Sequence, residues 1–307
     1  MPSLSSARYG KDNVRVYKVS RNADGTQSVT EMTVTVLLSG AITTSYTEAD
    51  NSVVIPTDTM KQTTYIMAKQ HPVNPPELFA SILATHFVTD FAHITKAYVK
   101  VVQHRWSRIS IDGKPHPHSF LRDGAETRDV EATATKKSSE TKIAADEVEL
   151  SIKSAIAGLL VLKSTGSAFH GFVQDEYTIL KPTNDRILST SVDAGWTWND
   201  IHGLAGVEAA AERGDFDKAF QAAREITLKT FAEDASASVQ ATMYKMAQLI
   251  LEAVKEVKAV EYLLPNKHYF EIDLSWHKGL KNTGPDAEVY APQSDPNGLI
   301  HCVVTRD

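Results

Sequence analysis

Residues 29–38 alternate between apolar and polar side chains along the chain. The apolar positions are Met32, Val34, Val36 and Leu38. The positions between them are mostly Thr, and this period of two is typical of an antiparallel strand with one buried face. Apolar and polar side chains also alternate in segments 98–110, 259–264 and 268–276, so the sequence predicts strands there as well. In the last segment the alternation is clearest over 269–276.

Three other segments place apolar residues at helical spacing. Pro75 and Pro76 open the first, predicted to be a helix over about 76–91, because Pro is favoured in the first turn. Ser238 can cap the second, over 238–257, whose apolar stripe is wide enough to pack on a sheet. A third helix is predicted from Asp215 to about Phe231.

The order of strands and helix occurs twice, at an offset of roughly 160 residues, which predicts two tandem copies of one unit. We place these copies at residues 1–138 and 139–307. Runs of strands with helices on one face predict an α+β fold rather than a doubly wound parallel sheet. Segment 123–146 has few large apolar residues, and we interpret it as a hairpin or linker at the junction.

Composition narrows the class of protein. The 307 residues are 42% hydrophobic, and their apolar runs are too short to cross a bilayer. The formal net charge is -6, with scattered Lys and Arg, so no nucleic-acid partner is expected. Cys302 is the only cysteine, which excludes an intrachain disulfide and favours a reducing compartment.

Common catalytic motifs are missing from the sequence. It contains no G-x-G-x-x-G, Walker A or G-x-S-x-G pattern, so nicotinamide, nucleotide-hydrolysis and serine-esterase chemistry have no support. His104, His116 and His118 raise the possibility of a copper or zinc site. Their spacing is not diagnostic, so we interpret them as structural loop histidines and predict no metal.

Seven short segments carry a resemblance to one family. They are 9–14 (YGKDNV), 56–59 (PTDT), 112–120 (DGKPHPHSF), 162–165 (LKST), 183–190 (TNDRILST), 236–243 (SASVQATM) and 264–276 (LPNKHYFEIDLSW). In this order they resemble the urate oxidase (uricase) family over nearly the whole chain. The resemblance implies the tunnelling fold (T-fold), in which two units per chain and several chains join their sheets into a barrel.

The resemblance also implies a reaction. Urate oxidases convert urate, dioxygen and water to 5-hydroxyisourate and hydrogen peroxide without a cofactor, on the route from urate to allantoin. Lys11, Thr57 and His268 match the proton relay of the family. Asn266 matches the amide that holds dioxygen or water, together with Thr57.

The remaining matches concern substrate binding. Arg186 and Gln240 match the pair that clamps the urate pyrimidine ring, and Phe169 matches the aromatic residue on which the purine stacks. The backbones of Asp58 and Val239 match further contacts to the ligand. Taken alone, Gln240 near a helix start is usually part of a cap and a lone Arg is usually a surface ion pair, whereas a planar guanidinium also suits a flat anion.

Three functions are compared on these grounds. Besides urate oxidation, the fold hosts other purine- and pterin-processing enzymes, which usually rely on a Glu anchor or a zinc site; the pair of Arg186 and Gln240 argues against that alternative. The other alternative is an inactive purine-binding oligomer, which would have lost relay residues.

The resemblance implies a homotetramer with active sites shared between chains. It also implies a peroxisomal location, although Thr305-Arg306-Asp307 does not match the Ser-Lys-Leu type of targeting signal, and the alternative is the cytoplasm.

Overall fold

The structure, a computed structural model, describes residues 2–136 and 143–306. The predicted boundary at residues 138 and 139 lies outside the described residues. Helices α1 to α6 are Thr43–Thr47, Thr57–Gln70, Pro76–Asp90, Gly203–Glu212, Asp215–Glu233 and Val239–Ala253. Strands β1 to β11 are Tyr9–Arg21, Gln27–Gly40, Ile94–His104, Ser107–Ile111, Lys114–Leu121, Thr127–Thr135, Glu149–Lys163, Leu188–Trp198, Ile201–His202, Val257–Glu271 and Tyr290–Thr305.

The chain divides into two compact units, each described by itself. Unit 1 is drawn from Met1–Ile156, Gly195–Gln221 and Glu256–Lys258, as far as these are described. Unit 2 is drawn, with the same restriction, from Ala157–Ala194, Ala222–Lys255 and Ala259–Asp307. The tandem division at residues 1–138 and 139–307 stays a prediction.

Unit 1 contains a sheet in the order β1, β2, β3, β6 and the first part of β7. The pairs β1–β2, β2–β3 and β3–β6 are antiparallel. Met32, Val34, Val36 and Leu38 of β2 are fully buried, as the alternation predicts. Helix α2 packs against β1, and α3 packs against β3 and β6.

The N-terminal end of α3 carries a buried ion pair. Glu77 binds Arg128 of β6 at 2.7 Å, and Ser154 of β7 donates a hydrogen bond to the same carboxylate at 2.7 Å. A carboxylate buried without partners would destabilise the fold, so Glu77 requires both contacts. These contacts connect α3 to strands β6 and β7.

Unit 2 contains the second part of β7, then β8 up to Ala194, β10 from Ala259 and β11 in order, with β10 and β11 antiparallel. Helix α6 packs against β11, and Arg306, the residue after that strand, donates to the carbonyls of Leu251 and Val254. The stripe predicted for α6 is buried: its members are Val239, Met243, Met246, Ala247, Ile250, Leu251 and Val254. The predicted α+β class with antiparallel sheets is therefore confirmed.

Several predicted bounds were wrong. The strand expected over 98–110 is interrupted after His104, and Arg105 pairs with Asp123 and Glu126 there. The strands expected at 259–264 and 268–276 form one strand, β10, which ends at Glu271. The segment interpreted as a linker, 123–146, contains β6 in the middle of the unit 1 sheet.

None of the helices in the described part of the chain combines the length and apolar character needed to span a membrane.

Candidate active site

Unit 2 brings four of the expected residues to one cavity of about 530 Å³: Phe169, Arg186, Asn266 and His268. Phe169 follows β7 and Arg186 precedes β8, whereas Asn266 and His268 lie in the second half of β10. The expected binding aromatic, cation, amide and imidazole therefore come from three separate parts of the chain.

Short backbone bridges position Phe169. Its N–H donates to the carbonyl of Thr183 at 2.8 Å, and the N–H of Thr183 returns a bond of 2.9 Å. One residue earlier, the N–H of Ala168 donates to the carbonyl of Ser236 at 2.9 Å. The loop after β7 is thus fastened both to the segment before β8 and to the segment before α6.

Arg186 lies over the ring of Phe169, with 4.9 Å between the guanidinium carbon and the ring centroid. Its side chain is half-buried, and burial lowers the pKa of the guanidinium. Its Nε is buried and has no hydrogen-bond partner among the described residues. A desolvated cation with an unpaired donor above an aromatic ring suits a flat anion.

Asp185 organises the loop beside Arg186. Its carboxylate accepts a bond of 2.6 Å from the Thr165 hydroxyl and one of 2.7 Å from the N–H of Gly166. The Thr165 bond is the main reason that the pKa of Asp185 lies below its ordinary value, and the backbone bonds of the loop add to it. An ionised Asp185 therefore joins the two ends of the segment between β7 and β8.

Helix α6 begins beside this loop. Ser238 caps it by accepting a bond of 3.1 Å from the N–H of Ala241, which leaves the amides of Val239 and Gln240 in the first turn without intrahelical acceptors. Such a turn attracts anions. Val239 is buried and Gln240 is exposed. Neither residue lines the cavity that contains Phe169, Arg186, Asn266 and His268.

The pairing of β10 with β11 is irregular at the cavity. Asn266 pairs with Gly298, but His268 pairs with Gln293, so the register shifts between the two site residues. A bulge of this kind changes the direction of neighbouring side chains. The ring of His268 stacks near that of Phe270, with centroids 6.1 Å apart.

Unit 1 contains the other three expected residues. Lys11 lies on β1, half-buried and paired with Val36, and Thr57 and Asp58 are the first two residues of α2. Asp58 pairs with Lys61, which is the main reason that its pKa is lowered, and the charge of Lys11 also lowers it. Lys11 and the start of α2 are therefore neighbours within unit 1.

Comparison with known proteins identifies the family. The chain matches the uricase family profile over residues 7–133 and 152–301. It is 59% identical to the uricase of Aspergillus flavus over 307 residues, covering 100% of this chain and 98% of the relative. The uricase of Cyberlindnera jadinii is 49% identical, with 99% and 97% covered. The chain belongs to the uricase family.

A solved uricase supports the fold. The crystal structure of uricase from Arthrobacter globiformis superposes with a TM-score of 0.85 at 34% identity, covering 100% of this chain and 96% of that one. The T-fold expected from the sequence is therefore confirmed for this member of the uricase family.

Two residues of the uricase motifs were missed by sequence reasoning. Tyr9 and Asp185 lie inside segments used to identify the family; Tyr9 hydrogen-bonds to the backbone of Ile55, two residues before Thr57, and Asp185 to that of Gly166, three residues before Phe169. Their position inside the family segments was the only sign in the sequence that they could matter for the site. The sequence does not show which backbone group each side chain contacts, because the partner of Tyr9 lies 46 residues away and that of Asp185 lies 19 residues away.

The three histidines considered as a metal site have other partners. The Nε2 of His104 lies 2.8 Å from the Thr33 hydroxyl, and burial is the main reason that the pKa of His104 is lowered. The rings of His116 and His118 contact each other, with centroids 4.6 Å apart. Within residues 2–136 and 143–306, no group of three His, Cys, Asp or Glu side chains is arranged to hold a metal ion.

Proposed function

We propose that this protein is a urate oxidase that converts urate, dioxygen and water to 5-hydroxyisourate and hydrogen peroxide. Urate loses two electrons, dioxygen gains them to become peroxide, and the oxygen of water is added to the purine ring. Each turnover therefore consumes one dioxygen and one water and releases one peroxide. Deprotonated urate is itself electron-rich, so the protein has to bind the anion, move protons and hold oxygen near the ring.

The position of Arg186 over Phe169 carries this proposal. A planar anion would stack on the Phe169 ring in place of the Phe172 ring, which stacks on it with centroids 4.9 Å apart, while its edge accepts hydrogen bonds from the guanidinium. The Nε of Arg186 has no hydrogen-bond partner among the described residues, and it becomes a donor for such a ligand once the side chain moves to expose it. Urate is flat and anionic, and it carries carbonyl and ring-nitrogen groups along its edges, so it meets all three requirements.

Other residues of unit 2 complete the binding set in our proposal. The Gln240 side chain and the Val239 amide, in the positively polarised first turn of α6, bind the pyrimidine part of the anion. Asn266, on the wall of the cavity, holds first dioxygen and then water above the ring. An amide suits both ligands because it offers donors and an acceptor.

The proton relay is assigned to Lys11, Thr57 and His268. A lysine drawn out of water beside a hydroxyl can accept a proton from urate through Thr57, and His268 can then remove a proton from the attacking water. The protons taken up by these groups leave on the peroxide. The backbone N–H of Asp58, in the uncapped first turn of α2, binds the imidazole part of the ligand.

We further propose a homotetramer whose active sites are shared between chains. In the described sheet order, β1 and β11 are terminal strands, 13 and 16 residues long, each with one neighbour. Long unpaired edges favour pairing with another chain. Lys11 lies on β1, and β11 pairs with the strand carrying His268, so pairing of these edges between copies would join the two residue sets. The peroxisomal location expected from the family stays a prediction.

Oxygen uptake on addition of urate tests the activity directly. We expect one peroxide per dioxygen, transient 5-hydroxyisourate absorbance, and at most a trace of uptake with xanthine. Exhaustive dialysis against chelator should leave the rate unchanged, because the reaction as proposed uses no metal. A protein that binds urate without consuming oxygen would instead be a purine-binding oligomer, and a rate that depends on stoichiometric zinc or copper would contradict the assigned chemistry.

A further inference from the structure

Tyr9 links the first residues of β1 to the segment that precedes α2. Its hydroxyl oxygen accepts a hydrogen bond of 2.7 Å from the backbone N–H of Ile55. Tyr9 is half-buried, and burial is the main reason that the pKa of its hydroxyl is raised, so the side chain stays neutral over the working pH range. The bond joins positions 46 residues apart in the chain.

The N–H of Ile55 depends on this partner. Ile55 lies between a short turn at Asn51–Val53 and the start of α2, and neither a strand ladder nor a helical carbonyl accepts its proton in the described structure. The residue is 4% exposed, so water cannot easily replace a lost partner. Removing the hydroxyl would leave a buried donor unpaired, which favours movement of the segment.

Both ends of this link are close to residues of the proposed proton relay. On one side, Lys11 is two residues from Tyr9, and the intervening Gly10 packs so tightly that a Cβ there would lie 1.8 Å from the carbonyl oxygen of Val36. On the other side, Thr57 is two residues from Ile55, across Pro56, whose ring limits backbone rotation.

A bulge in β1 holds the strand just after Lys11. The register shifts between Lys11 and Val14, and the carboxylate of Asp12 accepts bonds from the Thr35 hydroxyl and the N–H of Asn13. Backbone motion at Lys11 is therefore restrained on its C-terminal side. On its N-terminal side, Tyr9 and Gly10 pair with Leu38 and Leu37 of β2, so the ladder fixes the strand there, and the Tyr9 hydroxyl links that fixed position to the segment before α2.

We propose that Tyr9 is a positioning residue, whose hydroxyl fixes the distance between Lys11 and Thr57 by holding the amide of Ile55. The proposal rests on urate oxidation as the function of the site. Tyr9 touches neither urate nor oxygen in this scheme; it acts through the backbone on both sides. Its loss should therefore affect proton transfer more than substrate binding, because the Arg186 and Gln240 clamp belongs to unit 2 and unit 1 contributes only the Asp58 amide to urate binding in our proposal.

The test is Tyr9→Phe, which keeps the ring and removes only the acceptor. We expect kcat to fall about tenfold, because small misplacements of catalytic groups are costly, while KM for urate and the Kd of a non-oxidisable purine analogue stay within about twofold. Hydrogen exchange measured by mass spectrometry should accelerate in the peptide that contains Ile55. Tyr17→Phe is the matched control, since Tyr17 lies on the same strand with 57% exposure, and its kinetics should equal those of the parent.

Repeating the Tyr9→Phe substitution in a chain that already lacks Lys11 distinguishes a positioning role of Tyr9 from general destabilisation of the protein. In a Lys11→Met chain, Tyr9→Phe should not lower the residual rate further, because the lysine it positions is gone. An equal fall in both backgrounds would show a merely structural role and overturn the proposal, as would an unchanged kcat despite faster exchange at Ile55. If the parent protein itself consumes no oxygen with urate, the proposed function has failed; the exchange comparison then still reports whether the Tyr9 bond exists.

If Tyr9→Phe unfolds, Tyr9→His offers a ring nitrogen as a replacement acceptor, and the same kinetic split is measured on it. A folded Tyr9→His chain with parental kcat and accelerated exchange at Ile55 would overturn the proposal.

Discussion

The two units present similar helix starts with different surroundings. In unit 2, α6 begins with Ser238 as a side-chain cap, and nearby lie the half-buried Arg186 and the ring of Phe169. In unit 1, α2 follows Pro56 without a side-chain cap, and its neighbours are Lys11 and the exposed Asp58. The polarity of the helix start is common to both, so the side chains around it must decide what each one does.

This difference suggests a division of labour. Unit 2 offers a desolvated cation on an aromatic ring, which gives strong and oriented binding of a flat anion. Unit 1 offers an amine and a hydroxyl held by backbone restraints, which suits proton transfer. Variants on the two sides should therefore change different kinetic constants, and the following experiments test that separation.

Lys11→Met should have the largest effect. Loss of a general base typically costs 100- to 10,000-fold in rate, so we expect kcat to fall by about that range while the Kd of a purine analogue stays unchanged. Steady-state oxygen uptake and equilibrium binding measure the two quantities. Lys69→Met, at the last turn of α2, is the control for loss of a lysine. A variant with parental turnover would remove Lys11 from the relay.

Arg186→Lys should come second, with the opposite kinetic pattern. The charge remains, but the planar fork and its stacking on Phe169 are lost, so we expect a rise in KM of about 10- to 100-fold and a smaller change in kcat. Initial rates over a wide range of urate concentration check this. Arg213→Lys is the control, because that guanidinium is 61% exposed and pairs only locally with Asp215. A fall in kcat at constant KM would contradict the division of labour.

Mixed oligomers test whether the two units that form one site belong to different chains. Lys11→Ala and Arg186→Ala chains, each inactive alone, are co-expressed and pair at random. About half of the pairs are then mixed, and one of the two sites in each mixed pair carries neither defect, so roughly a quarter of parental activity should return. Native mass spectrometry confirms mixing. Mixed oligomers as inactive as their parents would place the whole site within one chain.

Asp185→Asn should give the smallest effect, confined to binding. The amide cannot accept both loop bonds as well as the carboxylate does, so we expect KM to rise about fivefold with kcat nearly constant. Since the pKa of Asp185 is lowered in the folded protein, its ionised form stabilises the fold above the ordinary value of 3.8, and this contribution is lost as the pH falls through the lower folded value. The difference in thermal midpoint between parent and variant should therefore be present at pH 6 and vanish in strong acid. A difference that persists there would assign the effect to packing instead.

Local patterns predicted the elements with strong periodicity. Helices α3 and α5 and strand β2 lie where the spacing placed them, and α6 begins there but ends at Ala253, short of the predicted residue 257, which is the first residue of β10. Helix α3 is buried nearly all round, whereas α6 and β2 bury one face each. Helix α2 was missed, since its buried positions are Met60, Thr64 and Ala68. A Thr and an Ala give little hydrophobic signal even when a sheet covers them.

The wrong strand ends have tertiary causes. Beyond Glu271, the side chain of Asn282 donates to the carbonyls of Ile272 and Val289, and Asp273 accepts a bond from the N–H of Ser275. These side chains take over backbone partners that a longer ladder would have used. The Asp273–Ser275 bond is local, but the alternation of residues 269–276 does not reveal the competition from Asn282, because that residue lies in another segment.

The sequence by itself determined the family, the α+β class and the nine candidate site residues, because motif order and hydrophobic period are local properties of the chain. Only the tertiary structure decided that Arg186 lies over Phe169 with an unpaired Nε, that a register shift separates Asn266 from His268, and that Tyr9 holds the amide before α2. Each of these depends on backbone groups distant in sequence meeting in space. Hydrogen bonds and stacking act over a few ångströms, so their partners are known only once the chain has folded.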